Sequence, residues 1–263
     1  MLYAIFSMLL YLISILLITP LLMKSGSNNA TLAIGRNKMP FFLTALCALG
    51  LHYAHIYSQW GYAVNGADSP ILEVSSLISL VIALLVSLAM LFRVKTLAFL
   101  LAPVYGFALI NLVLSAFIPS QVVHLSHNLF IHISLSLLTY SVCFIAMLYS
   151  IQLAWLDHNL KHKKILPNAG VPPLMLVERH FFRVMLSGEA LLTIILITGS
   201  YHLAGALEAE NIYKGLFSLL SWLTFGTFLF GYWKWHWRGK RMIIFTISGM
   251  ILLTVAYFGS KLI

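Results

Sequence analysis

The chain has 263 residues, 61% hydrophobic and only 9% charged, with sixteen Lys and Arg against seven Asp and Glu. Soluble domains carry about 25% charged residues, so a soluble fold cannot hide this much apolar surface and the bilayer is the solvent that fits. A net charge of +9 would suit nucleic acid, but the placement of the charges assigns them to membrane topology instead.

A helix needs roughly 20 mostly apolar residues to cross a hydrocarbon core about 30 Å thick. Eight stretches qualify, at about 2–23, 39–58, 71–92, 96–118, 127–156, 182–203, 213–233 and 242–262. The expected fold is an all-α integral membrane protein. It is a single domain over 1–263, an eight-transmembrane-helix bundle with both termini on the non-cytoplasmic side. The first stretch has no basic segment before it and no A-x-A-like site after it, so it is read as a retained span. The second holds Cys47 in an apolar run and His52, His55 and Gln59 on one face near its outer end. In the fourth, Asn111 and Ser115 lie one turn apart after Pro103.

The fifth stretch is long enough to tilt or to continue past the membrane as an ordinary helix. Its Asn128, His132, Ser136, Thr139 and Cys143 recur every three or four residues, which puts them on one helix face. The linker at about 158–181, with Pro167, Pro172 and Pro173, reads as an ordered cytoplasmic connection. In the sixth stretch Glu189 is the one acid well inside a span. Two readings stand for it: a proton or ion site, or a carboxyl that snorkels to the interface or bonds a neighbouring Ser or Thr.

The linkers alternate in charge. Lys24, Arg36 and Lys38 lie in the first, Arg93 and Lys95 in the third. The fifth and its flanks hold Lys161, Lys163, Lys164, Arg179 and Arg183, and the seventh holds Lys234, Arg238, Lys240 and Arg241. The even linkers hold Asp68, Glu73, Glu208 and Glu210, with Lys214 as their only base. The positive-inside rule makes the odd linkers cytoplasmic. Trp60 near the outer boundary, and Trp155, Trp233, Trp235 and Trp237 near the inner one, fit an aromatic belt.

His52 lies about 9 Å below the outer end of its span and His132 about 8 Å below the outer end of its own. Two imidazoles at similar depth on separate helices suit axial coordination of a haem iron. The alternative is interhelical hydrogen bonding, worth about 1 kcal/mol or less. His124, His127 and His202 sit at the outer surface, as a second metal site or as solvated loop residues. His158, His162, His180 and His236 lie among bases on the cytoplasmic side, where lipid headgroups and helix ends are natural partners. No GxSxG, HExxH, Walker loop or CxxCH occurs, so nothing argues for an enzyme or for covalently attached haem.

Several segments resemble the cytochrome c assembly family of haem-handling membrane proteins (the CcsA and CcmC type), in its HemX-like branch. They are Pro172-Pro173-Leu174-Met175-Leu176-Val177-Glu178 with Phe182-Arg183, Leu191-Leu192-Thr193 and Thr198-Gly199, and Leu129-Phe130-Ile131-His132 leading through Tyr140 to Gln152-Leu153-Ala154-Trp155. Trp237-Arg238-Gly239-Lys240-Arg241 and Tyr257-Phe258-Gly259-Ser260 complete the set, which covers about 72–263. The resemblance implies haem handling in the bacterial inner membrane, with non-covalent haem b as cofactor. The implied partners are the lipid bilayer and cytochrome c maturation or haem-biosynthesis proteins, with no nucleic acid among them. It makes His132 an outer-side haem-iron ligand and His52 an intramembrane one. Two departures imply an accessory role without full haem-lyase activity. The tryptophan-rich loop of larger relatives has no counterpart in the short connection from Ala204 to Ile212, and no second outer histidine follows the last span before Ile263.

Overall fold

A computed structural model describes residues 2–23, 38–60, 70–91, 98–117, 127–162, 173–203 and 209–259. The described residues form eight α-helices and no strand: α1 (Leu2–Met23), α2 (Lys38–Trp60), α3 (Pro70–Leu91), α4 (Ala98–Phe117), α5 (His127–Lys161), α6 (Leu174–Leu203), α7 (Ala209–Trp235) and α8 (Lys240–Phe258). Helices satisfy every interior backbone N–H and C=O within one segment, which hydrocarbon demands because it offers no water to replace them. Six of the eight are long and apolar enough to span a bilayer over their described side chains. In α1 and α4 the described apolar side chains run over Leu2–Ile18 and Leu100–Ala116. At 1.5 Å per residue, the 22 residues of α1 and the 20 of α4 reach about 33 and 30 Å. The chain is an integral membrane helical protein.

Two helices outrun the apolar stretches expected of them, both at the basic side. The fifth continues to Lys161, where an exposed Lys161–Asp157 pair at 2.6 Å closes its last turn. The sixth starts at Leu174, directly after Pro173, eight residues before its apolar stretch at about 182. Proline has no N–H to give a preceding turn, so it suits a helix start. Glu178, Arg179 and His180 make these first turns more polar than the rest of the helix, within an apolar span that runs over Leu174–Ser200.

Packing divides the helices into two compact units, α1–α4 and α5–α8. In the first, α1 and α3 each pack on both α2 and α4. In the second, α5 and α7 each pack on both α6 and α8. Each unit is thus a closed ring of four helices. The first is filled by Tyr11, Phe41 and Tyr105, with ring centroids 5.3 Å (Tyr11–Tyr105) and 6.2 Å (Phe41–Tyr105) apart, and by Ile78, Ile82, Leu101 and Leu112. The second is filled by Phe181, Met185, Phe225, Phe228 and Leu253. Leu and Ile side chains such as Leu16, Leu46, Ile110, Ile197 and Ile251 are exposed, as a lipid-facing surface requires.

The turn between α7 and α8 is tight. His236 and Gly239 take positive φ, at 53° and 68°, and the Trp237 N–H donates back to the Gly231 carbonyl at 3.3 Å. The Trp237 ring covers Gly231, where a Cβ would collide with it. Trp235 stacks on Trp237 at 5.4 Å and the Arg241 guanidinium lies 5.2 Å from the Trp237 ring centroid.

Gly249 plays the same part inside the second unit: a Cβ there would run into the Phe225 ring, and the Gly249 carbonyl accepts the Ser221 hydroxyl at 2.8 Å. Gly106, by contrast, has open space where a Cβ would stand. Replacing helical Gly by Ala ordinarily gains about 0.5–1 kcal/mol, whereas overpacking costs about 1–3 kcal/mol. Gly106→Ala is therefore expected to raise the thermal midpoint of the detergent-solubilised protein and Gly249→Ala to lower it. Shifts of the same sign would contradict the packing described.

Candidate functional site

His132 opens the polar face of α5. Its Nδ1 lies 3.2 Å from the Thr198 hydroxyl of α6, and its ring rests beside Gly199. A Cβ at Gly199 would stand 3.5 Å from Cε1 and 4.0 Å from Nε2. The Thr198 hydroxyl has one proton and two carbonyls of its own helix to give it to, Ile194 at 3.0 Å and Ile195 at 3.1 Å. When it accepts from His132, the imidazole proton sits on Nδ1 and the lone pair on Nε2. A hydrogen bond that fixes the tautomer in this way is what a metal-ligating histidine uses. The donor chemistry at His132 fits a haem iron.

Below His132 the stripe turns inward. Ser136, Thr139 and Cys143 are buried. The Ser136 carbonyl accepts the Tyr257 hydroxyl of α8 at 2.6 Å, and Thr139 returns its proton to Leu135. Tyr140 lies 3.0 Å from Thr254, whose own proton goes to Met250, so Tyr140 donates. The side chain of Asn128 lies outside the described residues.

His52 sits differently. It is wholly buried in the first unit, with Nδ1 3.2 Å from the Tyr11 hydroxyl of α1 and Nε2 3.0 Å from the Ser76 hydroxyl of α3. Both ring nitrogens are thus occupied by protein. One turn on, buried His55 has its Nε2 3.4 Å from Ser115 of α4, and Asn111 of α4 accepts from Ser75. Ser87 gives its proton to Ala83 and so accepts from Tyr105. The result is a set of hydroxyl, imidazole and amide bonds that crosses all four helices of the unit.

Glu189 is buried in the second unit. It is 9% exposed, and its Oε2 has no hydrogen-bond partner among the described residues. Thr193 bonds the Glu189 backbone carbonyl, not the carboxylate, and takes the indole N–H of Trp222 at 2.8 Å. A Cβ at Gly226 would stand 3.1 Å from Glu189 Oε1, so α7 gives the carboxyl room only by lacking a side chain there.

Among the remaining histidines, His158 and His162 are exposed and meet edge to face at 4.3 Å. The side chains of His124, His127 and His202 lie outside the described residues, as do those of Gln59 and Trp60 and the linker at 163–172. No cluster of three or more His, Cys, Asp or Glu is arranged for a metal ion among the described residues.

The family described as "Cytochrome C assembly protein" matches residues 40–263. The chain belongs to this family. It is 35% identical, over 99% of its length and 97% of theirs, to proteins named inner membrane protein YpjD in Escherichia coli strains K12 and O157:H7. It is also 29% identical, over 51% of its length and 50% of the relative's, to an uncharacterized 28.8 kDa protein in a nifR3-like 5' region of Azospirillum brasilense. No solved structure matches the chain. With its apolar helices, this kinship makes the chain a multi-pass inner-membrane protein. The cytochrome c assembly match begins at residue 40, well before the 72 expected from motifs, and so takes in α2 with His52 and His55.

The family's segments are neighbours in the structure. Thr198-Gly199 is the seat of His132. Glu178, which ends the Pro-Pro-Leu segment, pairs with Arg238 of the Trp-Arg-Gly segment at 3.1 Å, in contact by charge without the alignment of a hydrogen bond. Sequence reasoning missed Thr198 as the partner of His132, and missed Tyr11 as the partner of His52. A signal for Tyr11 was present: Ser7, Tyr11 and Ser14 recur at spacings of four and three in the first span, which marks an inward face.

Truncating His52 would open a cavity and orphan two buried hydroxyls. His52→Ala is expected to cost roughly 2–4 kcal/mol of unfolding free energy. Ser58→Ala, which removes a bond only to the carbonyl of His55 in its own turn, should cost a small fraction of that. Unfolding in mixed detergent micelles with increasing dodecyl sulfate measures both, and equal losses would contradict the structural role of His52.

Proposed function

We propose that this chain is a haem-handling accessory protein of the inner membrane, binding haem b non-covalently through His132 and having no haem-lyase activity of its own. The observation that carries the reading is the His132–Thr198 bond, which orients the imidazole beside Gly199, in a chain of the cytochrome c assembly family. Bound haem would supply an iron able to take an imidazole axial ligand and to change oxidation state. His132 would hold it, and Thr198 would keep the ring oriented and electron-rich. Since the family match runs through both four-helix units, the two are taken as one functional membrane domain. The proposed partners are lipid, haem, and proteins of cytochrome c maturation or haem biosynthesis.

His52 enters the proposal on different terms. With Tyr11 and Ser76 on its two nitrogens, it becomes a ligand only by giving one of them up. The absence of lyase activity is supported by the α6–α7 connection, five residues from 204 to 208 without tryptophan. That is too short for a tryptophan-rich cradle.

The test is the absorption spectrum of protein purified in mild detergent after expression with added haem. A Soret band that is lost in His132→Ala is the expected result, with Thr198→Val weakening haem affinity about 10–100-fold. His52→Ala should keep the band if His132 alone holds the iron. A colourless preparation that also fails to take up added haem would overturn the reading.

A second reading rests on Glu189, whose buried Oε2 lacks a partner. An intramembrane carboxyl of this kind suits proton or ion coupling in a transporter. Proton flux in proteoliposomes that stops in Glu189→Gln, from protein that binds no haem, would favour it.

A further inference from the structure

The second unit has a cavity of about 310 Å³ at its basic end, where the Pro-Pro-Leu and Trp-Arg-Gly segments meet. Its polar rim is made by Arg179, Arg183, Glu178 and Arg238. Arg238 is paired with Glu178. Arg179 and Arg183 are exposed, one helical turn apart on α6, and have no ion-pair partner among the described residues. One carboxylate thus stands against three guanidiniums. The rest of the lining includes apolar Met175, Phe182 and Leu186: Phe182 packs on Tyr232 with ring centroids 3.4 Å apart, and Leu186 is 59% exposed. Leu186 lies about 10 Å further along α6 than Arg179.

We propose that this cavity is a binding site for an anionic membrane lipid, its phosphate held by Arg179 and Arg183 and the start of its acyl chains lying along Phe182 and Leu186. Guanidinium forks match phosphate oxygens in pairs. Basic pockets between transmembrane helices on the cytoplasmic side hold phospholipid headgroups. Exposed Trp233 and Trp235 mark the same end of α7 as the headgroup level. Guanidiniums side by side with exposed apolar side chains, Leu186 being the lining residue furthest along α6, suit an amphiphile. A soluble phosphate would leave the apolar side chains unused. Haem carboxylates fit less well, because no histidine or cysteine lines the cavity and its volume is at the low end of the roughly 300–1,000 Å³ typical of small-ligand pockets.

Native mass spectrometry of the full chain, released from detergent with either phosphatidylglycerol or phosphatidylcholine, tests the site. Phosphatidylglycerol should be retained in preference to phosphatidylcholine. Affinity should fall roughly fivefold for each arginine removed in Arg179→Gln and Arg183→Gln. Leu186→Trp, which fills the apolar mouth without changing charge, should also release the lipid. Lys161→Gln, on the same side but paired with Asp157, should change nothing. Retention by the Arg179→Gln/Arg183→Gln protein equal to wild type would overturn the proposal, as would a loss of the same size in Lys161→Gln. Displacement of the lipid by millimolar inorganic phosphate would assign the rim to a soluble ligand and overturn the lipid assignment. If the double variant does not fold, Arg183→Gln and Leu186→Trp decide between the same outcomes.

Discussion

In hydrocarbon, apolar side chains gain little by leaving one apolar surrounding for another, so helix association rests on close backbone approach and on hydrogen bonds that cross between helices. Both units are built on that constraint. In the first, Ser7 donates to the Ala48 carbonyl, Ser14 meets Thr44, and Tyr11, His52 and Ser76 link α1, α2 and α3. In the second, Ser221 donates to Gly249 and Tyr257 to Ser136, while Tyr140 and Trp222 each reach a threonine of a neighbouring helix. Glycine at 188, 226 and 249 lets side chains of the adjacent helix come in close. Each cross-helix bond contributes about 1 kcal/mol in a membrane, but their geometry sets which helix faces meet. The functional side chains inherit their positions from that choice.

The eight helices were legible because hydropathy responds to the bilayer directly, residue by residue. Where the reading fell short, the residues answer to something other than the hydrocarbon. The first two turns of α6 carry Glu178, Arg179 and His180, yet they are helical, with Pro173 at the helix start and Arg238 paired with Glu178. Arg238 read as one more inner-side base, since charge placement alone gives no hint of a partner sixty residues away. For Glu189 the sequence left two readings, a proton or ion site and a snorkelling or hydroxyl-bonded carboxyl, because its surroundings depend on what α7 presents to it: glycine at 226. Periodicity says which face a residue is on. It does not say what meets that face.

The two histidines singled out by depth illustrate the same limit. On the sequence they are equivalent, each one or two turns inside the outer end of its span. The structure gives them different surroundings. An imidazole has two nitrogens; His52 spends both on protein hydroxyls in a fully buried position, and what it gains is a fixed place in the packing of three helices.

At His132 the partner decides the chemistry. A threonine in mid-helix usually returns its proton to a carbonyl one turn back, and Thr198 does so with two carbonyls within reach. In that arrangement its oxygen accepts from the imidazole, which places the ring proton on Nδ1 and the lone pair on Nε2. Serine at 198 would keep the acceptor but lose the branched side chain's stiffness at χ1, and valine would keep the shape but lose the acceptor. The pair therefore ties a local property of one helix to the ligand character of a residue on another, and Gly199, by having no side chain, keeps the next position beside the ring clear.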